Sequence, residues 1–296
     1  MSQIDDLKLK FKRFTIIEKL IVINVVVFVS FYLINTFAFL FNASSGFLLD
    51  WFVFPKEFDS FLTQPWSIIT YAFLHSGFWH IASNMIILYF SGRYFVTYLT
   101  GKRVLTVYFL GAIFGALLYM VSYNLFPAFS EIGNSVLLGA SASVMAILIA
   151  TATYIPYMSV RLMFIGSVKF WWIAAFFVIL DIIQIPAGNA GGHIAHLGGA
   201  LFGYLYASQL KKGKDIGSWF EKLMDSIASL FKPRKKSPLK TVHKAKKTKT
   251  ARKATTTKTN NPNQAQIDAI LDKISKSGYD SLTKQEKDFL FKAGKD

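Results

Sequence analysis

Two serines and three small residues head an otherwise apolar run in LLGASASVMAI, residues 137–147. Four of the five histidines stand in two other short segments: His75 and His80 in LHSGFWHIASN (74–84), His193 and His196 in GGHIAHLGG (191–199). Such residue types can do acyl-transfer chemistry. If His196 reaches Ser141, the imidazole can take the hydroxyl proton as the oxygen attacks a carbonyl. The oxyanion then formed needs donors, which backbone N–H groups at a helix start and the amide of Asn84 supply. His80 and Asn84 are four apart, so they share a helix face. Asp181 is read as a helix-packing or interfacial group, which leaves a serine and histidine dyad without a third member.

Rival readings attach to the same residues. Ser141 and Ser143 with Gly139, Ala140 and Ala142 could let helices approach closely, as could Gly199 and Gly203. His75 reads as structural and His193 as interfacial. His193 and His196, three apart, could share a zinc ion with His80. No H-E-x-x-H occurs, and no carboxylate is read near these histidines, so no metal site is expected. Cysteine is absent, which excludes disulfides, thiol catalysis and Cys-ligated metal.

The elements that would position these groups are long and apolar. Of 296 residues, 53% are hydrophobic, yet the net charge is +16, so charge and apolar surface must be segregated. Residues 232–258 carry twelve Lys or Arg and no acid. Apolar runs at 20–41, 81–99, 104–125, 138–155, 170–185 and 194–210 predict six helices in a membrane, several close to the ~20 residues that a ~30 Å hydrocarbon core requires. The first run, at 22 residues, exceeds the about 7 to 15 of a signal peptide and is kept as an anchor. Basic residues before the first run (Lys8, Lys10, Lys12, Arg13), at Lys102 and Arg103, and at Arg161 and Lys169 put both termini in the cytoplasm. The second, fourth and sixth helices then begin at one outer level. That common level brings Ser141, His196, His80 and Asn84 together, and polar groups at membrane depth mark functional sites.

With these motifs in view, the chain resembles the rhomboid intramembrane serine proteases over most of residues 20–210. PWSIITYAFLHSGFWHIASNM is similar to that family's entry to its second helix, GASA to its G-x-S-G box, and AHLGGALFG to its closing motif. The resemblance implies Ser141 as nucleophile and His196 as base. It puts His80, Asn84 and Gly139 on the oxyanion and substrate-binding side, with His75 structural and no cofactor. Three departures stand out: Ala142 for the second glycine of the box, Ser67 where arginine is usual, and Met145 where an aromatic often stacks beneath the base.

Four segments follow: a cytoplasmic N-terminal segment (1–19), an all-α rhomboid-like domain of six transmembrane helices (20–210), a basic, largely disordered linker (211–263) and a small C-terminal helical module (264–296). The linker suits an anionic inner leaflet; no nucleic acid is expected, because no folded reader accompanies the charge. In the module, Ile267, Ile270, Leu271 and Ile274 have helical spacing, Ser277-Gly278 breaks it, and Thr283 to Glu286 reads as a capping box. The expected function is cleavage of transmembrane segments of other membrane proteins through an acyl-enzyme, in a bacterial plasma membrane. A substrate would enter past the fifth helix and the loop at 47–66. The alternative is a catalytically silent relative that binds membrane-protein clients; a transporter is weaker still, for want of internal repeats.

Overall fold

The structure, a computed structural model, describes residues 3–44, 46–162, 165–230 and 262–293. It is mostly helical and divides into two units, 1–233 and 234–296.

In the first unit, α1 (Gln3–Arg13) precedes α2 (Ile16–Leu40), whose start is set by a reciprocal capping box between Thr15 and Glu18. Short helices α3 (Gly46–Phe52), α4 (Phe58–Thr63) and α5 (Ser67–Thr70) build the following loop. Five longer helices come next: α6 (Phe78–Tyr98), α7 (Gly101–Leu125), α8 (Ser141–Tyr154), α9 (Phe170–Gln184) and α10 (Ala190–Lys211). All six apolar runs are thus helices. Length and apolarity sufficient to cross a membrane are met by α2, α7 and α9 with its 3₁₀ extension (Phe170–Ala187), while α8 is apolar but shorter. The glycines and polar groups of α6 and α10 dilute their hydropathy because those helices carry the candidate site.

Helix α8 is the axis. Every residue from Ala142 to Ala152 is buried, packed against α6, α7, α9 and α10. No single face of α8 is polar because neighbours surround it. At about 1.5 Å per residue its 14 residues span about 21 Å, less than the ~30 Å core. The α8–α10 contact is a small-residue seam. A β-carbon on Gly199 would strike the carbonyl oxygen of Ala142, and one on Gly203 that of Ala146. One polar chain crosses the bundle: Asn24 Nδ2 donates to Leu20 O (2.8 Å) and Tyr108 Oη (3.2 Å), and Tyr108 Oη to Ala72 O at 2.9 Å.

Two antiparallel ribbons depart from the all-α expectation. β1 (Phe54–Pro55) pairs with β2 (Val136–Leu137), which ties the loop after α2 to the segment entering α8. β3 (Ser159–Leu162) pairs with β4 (Gly166–Lys169), so the link read as a plain loop around Arg161 and Lys169 is a hairpin. The stretch from 211 also differs from a disordered linker at its start. Helix α11 (Ser218–Leu230) follows α10; its Asp225 pairs with Lys102 of α7 (2.6 Å), and Asp215 in the link before it pairs with Arg103 (3.0 Å). The basic run 232–258 lies outside the described residues.

The second unit contains α12 (Pro262–Ser277) and α13 (Lys284–Ala293). Gly278 turns the chain at φ +78°, and Thr283 caps α13 through Glu286, whose carboxylate also holds Lys273 at 2.8 Å.

Candidate active site

Ser141 is the first residue of α8. Ala140, before it, gives the helix no side-chain cap, so the unpaired N–H groups of the first turn remain available around the hydroxyl. Gly139 makes the sharp entry at φ +130°, and its N–H donates to Tyr71 O at 2.9 Å. That amide is therefore committed to the scaffold. Gly139 contributes space instead: a β-carbon there would lie 2.8 Å from His80 Nε2 and 3.5 Å from Ser141 Oγ.

One end of α6 supplies the donors. The backbone N–H of Ser76 donates to His80 Nδ1 at 3.3 Å, and Ser76 Oγ lies 3.0 Å from the same nitrogen. An accepting Nδ1 assigns the ring proton of the neutral imidazole to Nε2, the nitrogen that faces Gly139 and Ser141. One turn on, Asn84 is 5% exposed, and among the described residues its buried Nδ2 has no acceptor. An amide donor buried without a partner costs roughly 1–3 kcal/mol, which suits a group kept for a ligand oxygen.

Helix α10 carries His196 one turn ahead of the Gly199 seam, and the close approach of α8 and α10 there puts His196 and Ser141 on the wall of one cavity. His196 has a partner that the sequence reading missed. Asp181 on α9 accepts through Oδ1 from His196 Nδ1 at 2.8 Å and from His193 Nδ1 at 2.8 Å. Contrary to the expectation from sequence, a carboxylate does stand beside these histidines: Asp181 is 12 and 15 residues away along the chain but adjacent across the α9–α10 turn. With Nδ1 donating, His196 Nε2 keeps its lone pair.

Ser141, His80, Asn84, Asp181, His193 and His196 line one cavity of about 550 Å³. Among the described residues no hydrogen bond joins Ser141 to His196; they share the cavity wall. Ser143 is fully buried outside this lining, in keeping with a packing role. His75 is buried, with its ring edge-on to His80 at 5.1 Å. Burial, with His80 alongside, presses its imidazole down to about 4, so it stays neutral.

The three departures have local accommodations. The methyl of Ala142 faces Gly115 of α7, where a β-carbon would approach it to 2.6 Å. Beside Ser67, Trp66 Nε1 donates to Trp51 O at 2.8 Å and the two indoles stack at 5.5 Å, which holds the loop without arginine. Met145 lines the same cavity as His80, His193 and His196.

Comparison with known proteins places these features in context. The model of the Rhomboid domain matches residues 62–212, and a family of unknown function (DUF6576) matches residues 256–292. RHOMBOID-like protein 12, mitochondrial, of Arabidopsis thaliana is 30% identical over 192 residues, 58% of this chain and 57% of the relative. Rhomboid protein 1, mitochondrial, of Saccharomyces cerevisiae is 27% identical over 192 residues (59% and 52%). Presenilin-associated rhomboid-like protein A, mitochondrial, of Danio rerio is 33% identical over 147 residues (49% and 37%). The chain spans about half the length or less of these relatives. Their names overturn the expected bacterial plasma membrane and point to a mitochondrial one. Loop charge reports which side a loop faces, not which membrane it crosses. A multi-pass membrane protein remains.

Proposed function

Since the chain belongs to the rhomboid family, we propose that it is an intramembrane serine endopeptidase of a mitochondrial membrane, with α2 and α6 to α10 as six spans. Ser141 Oγ attacks the carbonyl carbon of a peptide bond in or beside a transmembrane segment of another protein. His196 Nε2 takes the hydroxyl proton and returns it to the leaving amine. Asp181 holds the imidazole in the tautomer this requires. The oxyanion is met by Asn84 Nδ2, His80 Nε2–H and the N–H groups that open α8. Water then hydrolyses the acyl-enzyme by the same route in reverse, and no cofactor takes part.

A substrate helix enters past α9, whose apolar window is only 17% buried, and past the stacked Trp51 and Trp66 of the preceding loop. The basic run 232–258 attracts an anionic leaflet, at about 1 kcal/mol per cation near the surface. The α12–α13 module serves as a docking element.

The observation that carries this reading is the unpartnered amide of Asn84, facing a cavity shared with Ser141 and His196. The test is incubation of the purified protein in liposomes with a transmembrane substrate, beside Ser141→Ala and His196→Ala. Cleavage by the parent alone supports the enzyme. Equal behaviour of all three, with the substrate bound but intact, supports a silent relative that binds membrane clients.

A further inference from the structure

His193 has no task in the proteolytic step, yet it donates to the same carboxylate oxygen as His196. The donor atoms of Asp181, His193 and His196 all lie within 4.8 Å of one another. His193 and His196 are a helical i and i+3 pair, so their rings project from one face of α10. Their rings and the Asp181 carboxylate are mostly shielded, at 13%, 20% and 9% side-chain exposure, and all three border the cavity.

From this cluster we propose that Asp181, His193 and His196 form a binding site for a divalent transition-metal ion of the Zn²⁺ class, and that the ion switches the active site off. The regulatory half rests on the serine-protease reading; the binding half does not.

Two imidazole nitrogens and one carboxylate oxygen are a borderline donor set. It suits Zn²⁺ better than Ca²⁺ or Mg²⁺, which take mostly oxygen. Bonds of about 2.0–2.2 Å in a tetrahedron put neighbouring ligand atoms roughly 3.4 Å apart. The two N–O separations are 2.8 Å, so each of these edges widens by roughly 0.6 Å on binding, while the ligand atoms already lie within 4.8 Å of one another. The fourth position opens to the cavity for water.

The switch follows from tautomer chemistry. While Asp181 accepts from His196, Nδ1 holds the proton and Nε2 holds the lone pair that takes the serine proton. A metal ion needs the Nδ1 lone pair. In the neutral ring the proton then moves to Nε2 through cavity water, with no net proton released. A ring bonded to metal at Nδ1 and protonated at Nε2 cannot deprotonate Ser141. Metal binding and catalysis thus compete for one nitrogen.

The test uses full-length protein in detergent, stripped with chelator and titrated with Co²⁺, with Zn²⁺ as competitor. The expected result is one Co²⁺ per chain with the visible absorption bands of tetrahedral cobalt, displaced by Zn²⁺ and lost in His193→Gln and in Asp181→Asn. If Asp181→Asn fails to fold, His193→Gln carries the comparison. In parallel, a fluorophosphonate probe reports Ser141. Zn²⁺ should lower its labelling at least tenfold, chelator should restore it, and the His193→Gln variant should label equally with and without Zn²⁺. No tetrahedral spectrum in the parent, or the same spectrum in both variants, overturns the site. A cobalt spectrum with labelling unmoved by Zn²⁺ overturns the switch. A cobalt spectrum in a protein that never labels, metal-free or not, leaves the site standing and sinks the protease reading instead.

Discussion

The Oδ1 of Asp181 and the Nδ1 of His196 are 2.8 Å apart, across the turn that joins α9 to α10. In the proposed mechanism this contact adds a third group to the Ser141–His196 pair. Asp181→Asn should lower kcat about 10²-fold, within the range of one acid–base contribution, and leave KM near its parent value. A change confined to KM would remove Asp181 from the chemistry. Steady-state cleavage of a transmembrane substrate in liposomes distinguishes the two.

Asn84 is the cleanest separation of catalysis from stability. Among the described residues its Nδ2 makes no hydrogen bond, so Asn84→Ala removes no internal hydrogen bond of that nitrogen. The expected outcome is a 10² to 10³-fold fall in kcat, the cost of one oxyanion donor, with a thermal midpoint in detergent no lower than the parent's. A variant that loses stability and keeps kcat would show the amide to be structural.

At Gly199, a β-carbon meets the backbone oxygen of Ala142, which cannot rotate away. Gly199→Val should therefore destabilise the unit by about 1–3 kcal/mol or more, read as a lower thermal midpoint and a loss of probe labelling at Ser141. Gly133→Ala is the control, because nothing lies within 4 Å of a β-carbon there.

His75 makes the fold sensitive to acid. Its imidazole is held near 4, against about 6.5 in an unfolded chain. Above about 6.5 both states are neutral and nothing is gained or lost. Between the two values the unfolded chain takes up a proton that the folded one refuses, so stability falls as pH falls, by up to roughly 3 kcal/mol at the lower value. Thermal midpoints measured from about pH 7 to about pH 4.5 should drop for the parent, with a shallower slope in His75→Gln. Parallel slopes would reject this assignment.

Much of the site was legible because its parts are short-range. Gly139 and Ser141 share one helix start, His80 and Asn84 one helical turn, and His196 and Gly199 another, so residue type and spacing alone bring each pair together. Asp181 was not legible. Its partners lie in the next helix, and the turn at 185–189 that folds α10 back on α9 follows no periodicity. Gly139 was half legible: its type signals a special backbone, while the commitment of its amide to Tyr71 depends on a segment nearly seventy residues earlier. The β3–β4 ribbon has no compact turn signature, and α11 was hidden by reading from 211 onward as one charged stretch. The six apolar runs emerged as helices within a few residues because period and length agree there.

In the proposed mechanism Asp181 would give α9 a second duty. If that helix swings outward to admit a guest from the lipid, it takes the carboxylate with it, and the imidazole on α10 loses its orientation until the helix returns. Doorway and warhead would then work as an interlock, armed only when shut, which would guard neighbouring membrane proteins against cleavage at the threshold.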